Sequence, residues 1–171
     1  MGLFESIPYK CTKKDGKIEI REYDDFILAS TKTHKNNKQD SGFNNVFNYI
    51  SGDNDQDTKI SVTTPVVTYE EDNELVTGFY IPKKNTANIP THLSDKVFLD
   101  TEQSSLFAVI RFRGKWTDKN FDKHDEELKI YLQDNDNKFL SNRFLFRYQP
   151  PMVPSIFRRN EIAYKVTKKD I

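Results

Sequence analysis

Apolar and polar residues alternate along several short segments of the chain, and each of these segments predicts a β-strand. Residues 9–12 and 17–23 flank Asp15-Gly16, a dipeptide that favours a tight turn, so together they predict a β-hairpin. In the second strand of this hairpin, isoleucines alternate with charged residues, as is typical of a sheet with one face in solvent. Similar patterns predict strands over residues 26–33, 58–69, 75–81, 97–103, 106–112, 139–148 and 161–167.

Two of these strands carry additional information about the sheet. Residues 106–112 present apolar side chains on both faces, which favours a central strand. Pro65 interrupts the segment over residues 58–69 and cannot donate a backbone hydrogen bond to a neighbouring strand. We therefore expect a sheet edge or a break at this proline.

Two segments have the apolar spacing of helices. The second helix is predicted from a cap at Thr117 to about Leu132. The first is predicted to begin near Ser41 and to stop at Gly52, with its apolar face buried. That face has apolar residues at positions i, i+3, i+4 and i+7, which are Phe43, Val46, Phe47 and Ile50.

The order of the predicted elements repeats along the chain. Strand, strand, helix, strand, strand describes both residues 17–81 and residues 97–167. A length of 171 residues fits a single domain, here residues 1–171. These observations predict an α+β fold in which an internal repeat closes a curved sheet or barrel, with two helices packed on its outside.

Composition narrows the classes of function. The 26 basic and 26 acidic residues balance, whereas a general nucleic-acid binder usually has a basic excess, so we expect no nucleic-acid partner. The single cysteine, Cys11, favours a reducing compartment and predicts a cytoplasmic protein. The longest apolar run, residues 106–110, is too short for a membrane span. The oligomeric state is left open.

Five short motifs resemble those of the SOUL family of haem-binding proteins, and they extend over residues 9–167. The last of them, YQPPM followed by RRNEI, is nearly the signature of the cytosolic haem-binding protein branch. The motifs are IEIREY at residues 18–23, YISGDN at 49–54, ISVTTPV at 60–66, FYIP at 79–82, and YQPPM with RRNEI at 148–152 and 158–162.

This resemblance implies both a fold and a function. The fold is a distorted antiparallel β-barrel of two pseudo-symmetric halves flanked by two α-helices, in agreement with the element order. The function is non-catalytic binding of haem or a related tetrapyrrole, as a buffer or carrier. The expected partner is therefore a small hydrophobic ligand, haem or another porphyrin, and the protein is not expected to be an enzyme.

The resemblance also places the ligand in an apolar cleft between the first helix and the late loop rich in proline and arginine. Arg158 and Arg159 are the expected partners of the propionates, because guanidinium can grip a carboxylate through two parallel hydrogen bonds. Phe43, Phe47, Ile60, Val62 and Met152 are the expected apolar contacts. Structural roles are also possible for these residues. The phenylalanines could belong to the core, the methionine could fill a gap in the packing, and the arginines could pair with Glu161 or nearby acids.

The identity of an axial iron ligand is not determined. Some SOUL proteins have a histidine just before the tyrosine of the opening strand, where this chain has Glu22. The remaining histidines are His34, His92 and His124, and a lone histidine is more often a surface residue than a ligand. The metal ligand is therefore unknown.

Two alternative functions remain. The wider superfamily includes effector-sensing domains of bacterial regulators, which bind small aromatic or cationic molecules. Some of its members are cofactor-free hydrolases that use glutamate and tyrosine, and such an activity would require a buried pair such as Glu161 with Tyr148. The sequence lacks the phosphate-loop, HExxH, CxxC and GxSxG motifs. The physiological ligand and its pathway are left open.

Overall fold

The computed structural model describes residues 4–34, 41–52, 54–57, 59–89 and 96–167, and in these ranges the fold is α+β with mainly antiparallel strand pairing. The helices are α1 (Ser41–Ile50) and α2 (Asp118–Asp134). The strands are β1 (Glu5–Ser6), β2 (Lys10–Asp15), β3 (Ile18–Tyr23), β4 (Phe26–His34), β5 (Thr63–Thr64), β6 (Val66–Glu71), β7 (Glu74–Ile81), β8 (Phe98–Glu102), β9 (Ser105–Arg113), β10 (Phe144–Arg147) and β11 (Arg159–Val166).

The chain divides into two compact units. Unit 1 contains the described residues of Met1–Ile7 and Asp25–Gln103, and unit 2 contains those of Pro8–Asp24 and Ser104–Ile171. Within unit 1 the strands follow the order β6-β7-β4-β8, all antiparallel. Helix α1 packs against β4 and β7, and the core beneath it consists of Ala29, Val46, Tyr49, Ile50, Ile60, Phe79, Ile81 and Val97.

Helix α1 forms where the sequence predicts it, but its buried stripe differs. Val46, Tyr49 and Ile50 are buried, whereas Phe47 is 40% exposed. The prediction that Phe47 lies in the buried face is wrong, because the stripe at positions 46, 49 and 50 puts residue 47 at its margin. The side chain of Phe43, in the first turn of α1, lies outside the described residues.

The break expected at Pro65 is confirmed. Pro65 separates β5 from β6, and β5 pairs in parallel with β1 instead of continuing the main sheet. The hydroxyl of Thr63 donates to the backbone carbonyl of Tyr80, which ties this short strand to the end of β7.

Unit 2 contains a five-stranded antiparallel sheet in the order β2-β3-β9-β11-β10. The predicted hairpin is confirmed as β2 and β3, with Gly16 at a φ of 59° in the turn. The predicted central strand is also confirmed, since β9 lies between β3 and β11 with a register that pairs Ile110 with both Ile18 and Ile162.

Helix α2 covers one face of the unit 2 sheet. It begins as predicted after Thr117, whose side chain accepts a hydrogen bond from the backbone N–H of Asn120. The Tyr164 hydroxyl donates to Asp125 at 2.6 Å and links β11 to the helix. The core between helix and sheet consists of Ile18, Ala108, Ile110, Phe112, Leu128, Leu132, Ile162, Tyr164 and Val166.

The other face of β3 corrects the sequence prediction. This face was expected to lie in solvent because it carries charged residues, yet Glu19 is buried and Arg21 is fully buried. Phe107 and Val109 of β9 pair with Arg21 and Glu19 and are also buried. The prediction of a solvent-facing surface is therefore wrong, and the reason lies in the ion pairs described below.

The two units share one internal topology. In unit 1, β4 precedes the helix and pairs with β7, and β7 pairs with β6. In unit 2, β9 precedes the helix and pairs with β11, and β11 pairs with β10. The predicted repeat assigns residues 17–24 to its first half, whereas the structure places them in unit 2. The single domain, the repeat and its closure into a barrel stay predictions.

Candidate functional site

The face of the unit 2 sheet opposite α2 contains a buried ion pair. The guanidinium of Arg21 in β3 donates from Nη1 to Oε1 and from Nη2 to Oε2 of Glu161 in β11, both at 2.8 Å. Both side chains are fully buried. Two motifs that lie far apart in the sequence, IEIREY and RRNEI, therefore meet in one bidentate salt bridge.

Other side chains complete the coordination of the Glu161 carboxylate. Arg159 donates from Nη2 to Oε2 at 2.8 Å, and the Tyr148 hydroxyl donates to Oε1 at 2.8 Å. Arg111, which is more exposed, places its Nε 3.5 Å from Oε2. The carboxylate is thus surrounded by hydrogen-bond donors and positive charge.

The Arg21 guanidinium is equally well satisfied. Its Nε donates to Glu19 at 2.7 Å, its Nη1 also donates to the Tyr23 hydroxyl at 3.0 Å, and the ring of Tyr9 stacks on it at 4.1 Å. A buried charge is tolerated in a protein interior only when it is paired and hydrogen-bonded, and Arg21 meets both conditions.

Electrostatics fixes the protonation states of this network. Burial by itself would raise the pKa of Glu161, but hydrogen bonds and positive charge from Arg21 and Arg159 outweigh it, so the pKa is lowered. Burial would lower the pKa of Arg21, yet Glu161 raises it overall. Burial and the charge of Glu161 raise the pKa of Tyr148 well above its ordinary value. The network therefore consists of an ionised acid, ionised arginines and a neutral tyrosine.

Arg158 and Arg159, the predicted propionate partners, both have partners within unit 2. Arg158 donates to the backbone carbonyls of Val153 at 2.8 Å and Pro151 at 2.6 Å, and its guanidinium stacks on Trp116 at 4.4 Å. Besides its bonds to Glu161, Arg159 stacks on the ring of Tyr148 at 4.0 Å. The structural roles that the sequence leaves open for both arginines are thus present.

Met152, the predicted apolar contact in the same unit, is 84% exposed in the turn that follows the two prolines. A gap-filling role is therefore wrong for this methionine, because its side chain packs into no core. A thioether so exposed is available to an apolar ligand.

The predicted contacts in unit 1 divide into core and surface. Ile60 is buried in the core beneath α1, and its backbone N–H donates to the carbonyl of Ile50 at 2.7 Å. Val62 is 37% exposed, similar to Phe47. Phe47 and Val62 can therefore contact a ligand, whereas Ile60 supports the segment between them.

The described histidines do not indicate an iron ligand. His34 is exposed at the end of β4. His124 is buried, with its ring stacked 4.0 Å from that of Phe112 and its Nδ1 hydrogen-bonded to the carbonyl of Asn120. His92 lies outside the described residues, and within those residues no group of three or more His, Cys, Asp or Glu could bind a metal.

Sequence reasoning missed the role of Arg21 and Glu19. Alternation along β3 is the same whether its charged face meets solvent or a buried partner, so the strand pattern could not distinguish the two. One signal was available in the sequence. Arg21 lies in the first family-like motif and Glu161 in the last, and a basic residue in one motif with an acidic residue in another is consistent with an ion pair between them.

The fold is an α+β arrangement of mainly antiparallel strands with a helix on each unit, and it leaves several large apolar side chains exposed. The family model for the SOUL heme-binding protein matches residues 4–165. The chain therefore belongs to the SOUL heme-binding protein family, as its motifs predict.

The curated sequence relatives agree with this assignment. Heme-binding protein 2 of Homo sapiens is 26% identical over 117 residues, which cover 63% of this chain and 57% of the relative. The chain thus spans less than two thirds of the length of the curated relatives that it matches.

Solved structures share the fold at low sequence identity. The C-terminal domain of EcmrR has a TM-score of 0.67 at 11% identity, with 94% of this chain and 99% of that chain covered. A hydrolase from Listeria innocua has a TM-score of 0.62 at 8% identity, covering 91% and 94%. At such identities the likeness concerns the fold alone.

Within the described ranges, no helix combines the length and hydrophobicity that a membrane span requires. The absence of a nucleic-acid partner and a cytoplasmic location stay predictions.

Proposed function

We propose that this protein binds haem or a related tetrapyrrole as a non-catalytic carrier or buffer. One observation carries the proposal: three of the residues named from the family resemblance, Phe47, Val62 and Met152, are large apolar side chains that the fold leaves exposed. Large apolar side chains that stay exposed are available to contact an apolar ligand. Membership of a heme-binding family makes a macrocycle the best-supported ligand.

Each unit has exposed residues of the types that can contact a porphyrin. Phe47 and Val62 offer apolar surface in unit 1, as Met152 does in unit 2. Arg158 and Arg159 offer positive charge beside Met152 for propionates, in addition to the internal bonds that hold them. A bound haem would supply redox-active iron, and the proposal assigns no protein ligand to it. The cleft and the closed barrel predicted from the resemblance stay predictions.

Hemin titration of single-site variants tests the proposal. Wild-type protein is expected to give a saturable shift of the Soret band and to quench the single tryptophan, Trp116. Met152→Ser and Phe47→Ser are each expected to weaken hemin binding about tenfold, because each removes apolar contact worth on the order of 1.5 kcal/mol. Arg158→Ala should weaken binding further by removing a charged hydrogen bond.

Ile130→Ser is the matched control. Ile130 is 50% exposed on α2 and is not among the residues named from the family, so its variant should bind hemin like the wild type. Equal losses in Ile130→Ser and Met152→Ser would indicate nonspecific adsorption and reject the proposed contacts. The absence of saturation in the wild type would reject haem binding altogether.

A cofactor-free hydrolase is the second candidate, because the required acid–tyrosine pair is present. The Tyr148 hydroxyl donates to buried Glu161 at 2.8 Å. A general base needs a carboxylate oxygen that can accept the substrate's proton. Here arginines lower the pKa of Glu161 and occupy its oxygens, and Tyr148 remains protonated. The geometry therefore supports a structural role for the pair better than a catalytic one.

Hydrolysis of a chromogenic ester checks this ranking. We expect the wild type and Glu161→Gln to show the same rate, close to that of buffer, because the acid is not available as a base. A wild-type rate well above background that falls at least a hundredfold in Glu161→Gln, with Arg111→Gln unaffected, would make the protein a hydrolase instead.

The effector-sensing alternative has weaker support. The resemblance to the EcmrR domain shows the fold alone, and the buried carboxylate of Glu161 is already neutralised by Arg21 and Arg159. A lipophilic cation therefore finds no unsatisfied acid in this network. Thermal stabilisation by such a cation, without stabilisation by hemin, would favour a sensor.

A further inference from the structure

Three strongly exposed apolar side chains lie together in the segment between β10 and β11. Met152 is 84% exposed, Ile156 is 67% exposed and Phe157 is 58% exposed. We call these three residues the apolar tip. Isolated apolar residues on a surface are ordinary, but three within six positions indicate a surface that contacts something other than water.

The apolar tip is held in a defined conformation. Within the segment, the backbone N–H of Val153 donates to the carbonyl of Pro150 at 3.1 Å, and that of Phe157 donates to Pro154 at 2.9 Å. Arg158 bonds two further carbonyls of the segment. From β9, the Arg113 guanidinium donates to the Phe157 carbonyl at 3.4 Å. The exposure of the tip is therefore built into the fold.

Basic residues outnumber acidic ones in the sequence segments that carry and adjoin the tip, although Arg143 pairs with Asp122 and Asp125, and Arg159 with Glu161. Residues 137–160 include five basic residues and no acidic one, and residues 103–117 include three basic residues and no acidic one. The chain as a whole has equal numbers of the two charges, so this separation is local. Arg113, which bonds the Phe157 carbonyl, and Lys115, which follows it closely in the chain, are both exposed, and Asp118 at the start of α2 is the next acid along that segment.

Exposed apolar side chains beside exposed cations are the combination that binds anionic lipid surfaces. A peptide adding as a strand would need vacant backbone donors. In the segment, however, the N–H groups of Val153, Phe157 and Arg158 are already bonded within their turns. Side-chain insertion with charge attraction needs no vacant backbone donor and no specific partner geometry.

We propose that the apolar tip inserts into the interface of a bilayer containing anionic lipids, with Arg113 and Lys115 at the headgroups. Ile156 and Phe157 are the principal inserting residues. Met152, the third residue of the apolar tip, is also a proposed tetrapyrrole contact, but these four residues are not, so membrane binding goes beyond the proposed function and can be tested separately from it.

Cosedimentation with phosphatidylcholine vesicles, with and without phosphatidylserine, tests the proposal. Wild-type protein should bind the vesicles that contain phosphatidylserine, and rising salt should weaken the binding. Ile156→Ser and Phe157→Ser should each reduce partitioning about tenfold through lost apolar burial. Lys115→Gln should reduce it about fivefold, as expected for one basic residue near an anionic surface.

Ile130→Ser is again the control and should bind vesicles like the wild type, and urea unfolding should show that every variant is folded. Vesicle binding that is absent, or that is unchanged in Ile156→Ser and Phe157→Ser, would overturn the proposal. Self-association that depends on the tip, without vesicle binding, would also overturn it and identify a second copy as the occupant. The hemin affinity of Ile156→Ser, Phe157→Ser and Lys115→Gln should equal that of the wild type. A loss of vesicle binding in these variants is thereby distinguished from a loss of tetrapyrrole binding.

Discussion

Replacing Arg21 by Met is expected to destabilise the protein by about 3–5 kcal/mol, because it leaves the buried carboxylate of Glu161 without its bidentate partner. The carboxylate keeps Arg159, whose side chain is 27% exposed, and Arg111, which is more exposed still. Neither replaces the two parallel hydrogen bonds at 2.8 Å from a guanidinium that is itself fully buried. Urea unfolding followed by Trp116 fluorescence measures the loss.

Two further variants separate the pair from its surroundings. Arg111→Gln removes a half-exposed positive charge near the Glu161 carboxylate. It should lower the free energy of unfolding by less than about 1 kcal/mol. The double variant Arg21→Met/Glu161→Leu removes both charges and should recover much of the loss, since an apolar replacement of a buried ion pair is often neutral. A single Arg21→Met variant as stable as the wild type would show that the pair has no structural role.

Acidification should destabilise the wild type through Glu161. The folded state lowers the pKa of this group below its ordinary value of 4.5, with burial opposing the shift and the arginines producing it. A group with a lowered folded pKa contributes stability above its unfolded pKa and loses that contribution as the pH falls through the folded value. The contribution should therefore be complete near neutral pH and decline below about pH 4.5.

The difference between wild type and Glu161→Gln isolates this effect from other titrating acids. Glu161→Gln should be less stable near neutral pH, and the gap in free energy of unfolding should narrow as the pH falls below 4.5. Glu127→Gln is the control, because Glu127 pairs with Lys17 on the surface. A gap for Glu161→Gln that stays constant with pH would contradict the assignment.

Local features of the fold were predictable from the sequence. The hairpin of β2 and β3 follows from Asp15-Gly16, and the start of α2 follows from Thr117 as a cap, because both depend on residues close together in the chain. The central place of β9 follows from its two apolar faces. The pairing of β9 with β3, which brings residues 18–23 into the second unit, could not be predicted from the order of the elements along the chain.

The candidate site was predictable in part. Motif resemblance names Met152 and Phe47 as ligand contacts; both are exposed, and their contact with a ligand stays a prediction. It could not determine that Arg158 stacks on Trp116 or that Arg159 shares Glu161 with Arg21. The contacts of Arg158 with Trp116 and of Glu161 with Arg21 join segments that lie tens of residues apart or more, and a sequence pattern does not show which distant segments meet.

The sequence by itself determined the family, the kinds of elements and the N-terminal cap of α2, because motifs and periodicity are properties of neighbouring residues. Tertiary structure decided which charges are buried. Arg21 and Glu161 are compatible with solvent until β3 and β11 flank the same strand, where bidentate pairing offsets the cost of removing both charges from water. It also decided that Met152, Ile156 and Phe157 remain outside, because the hydrogen bonds of their own segment hold them away from the core.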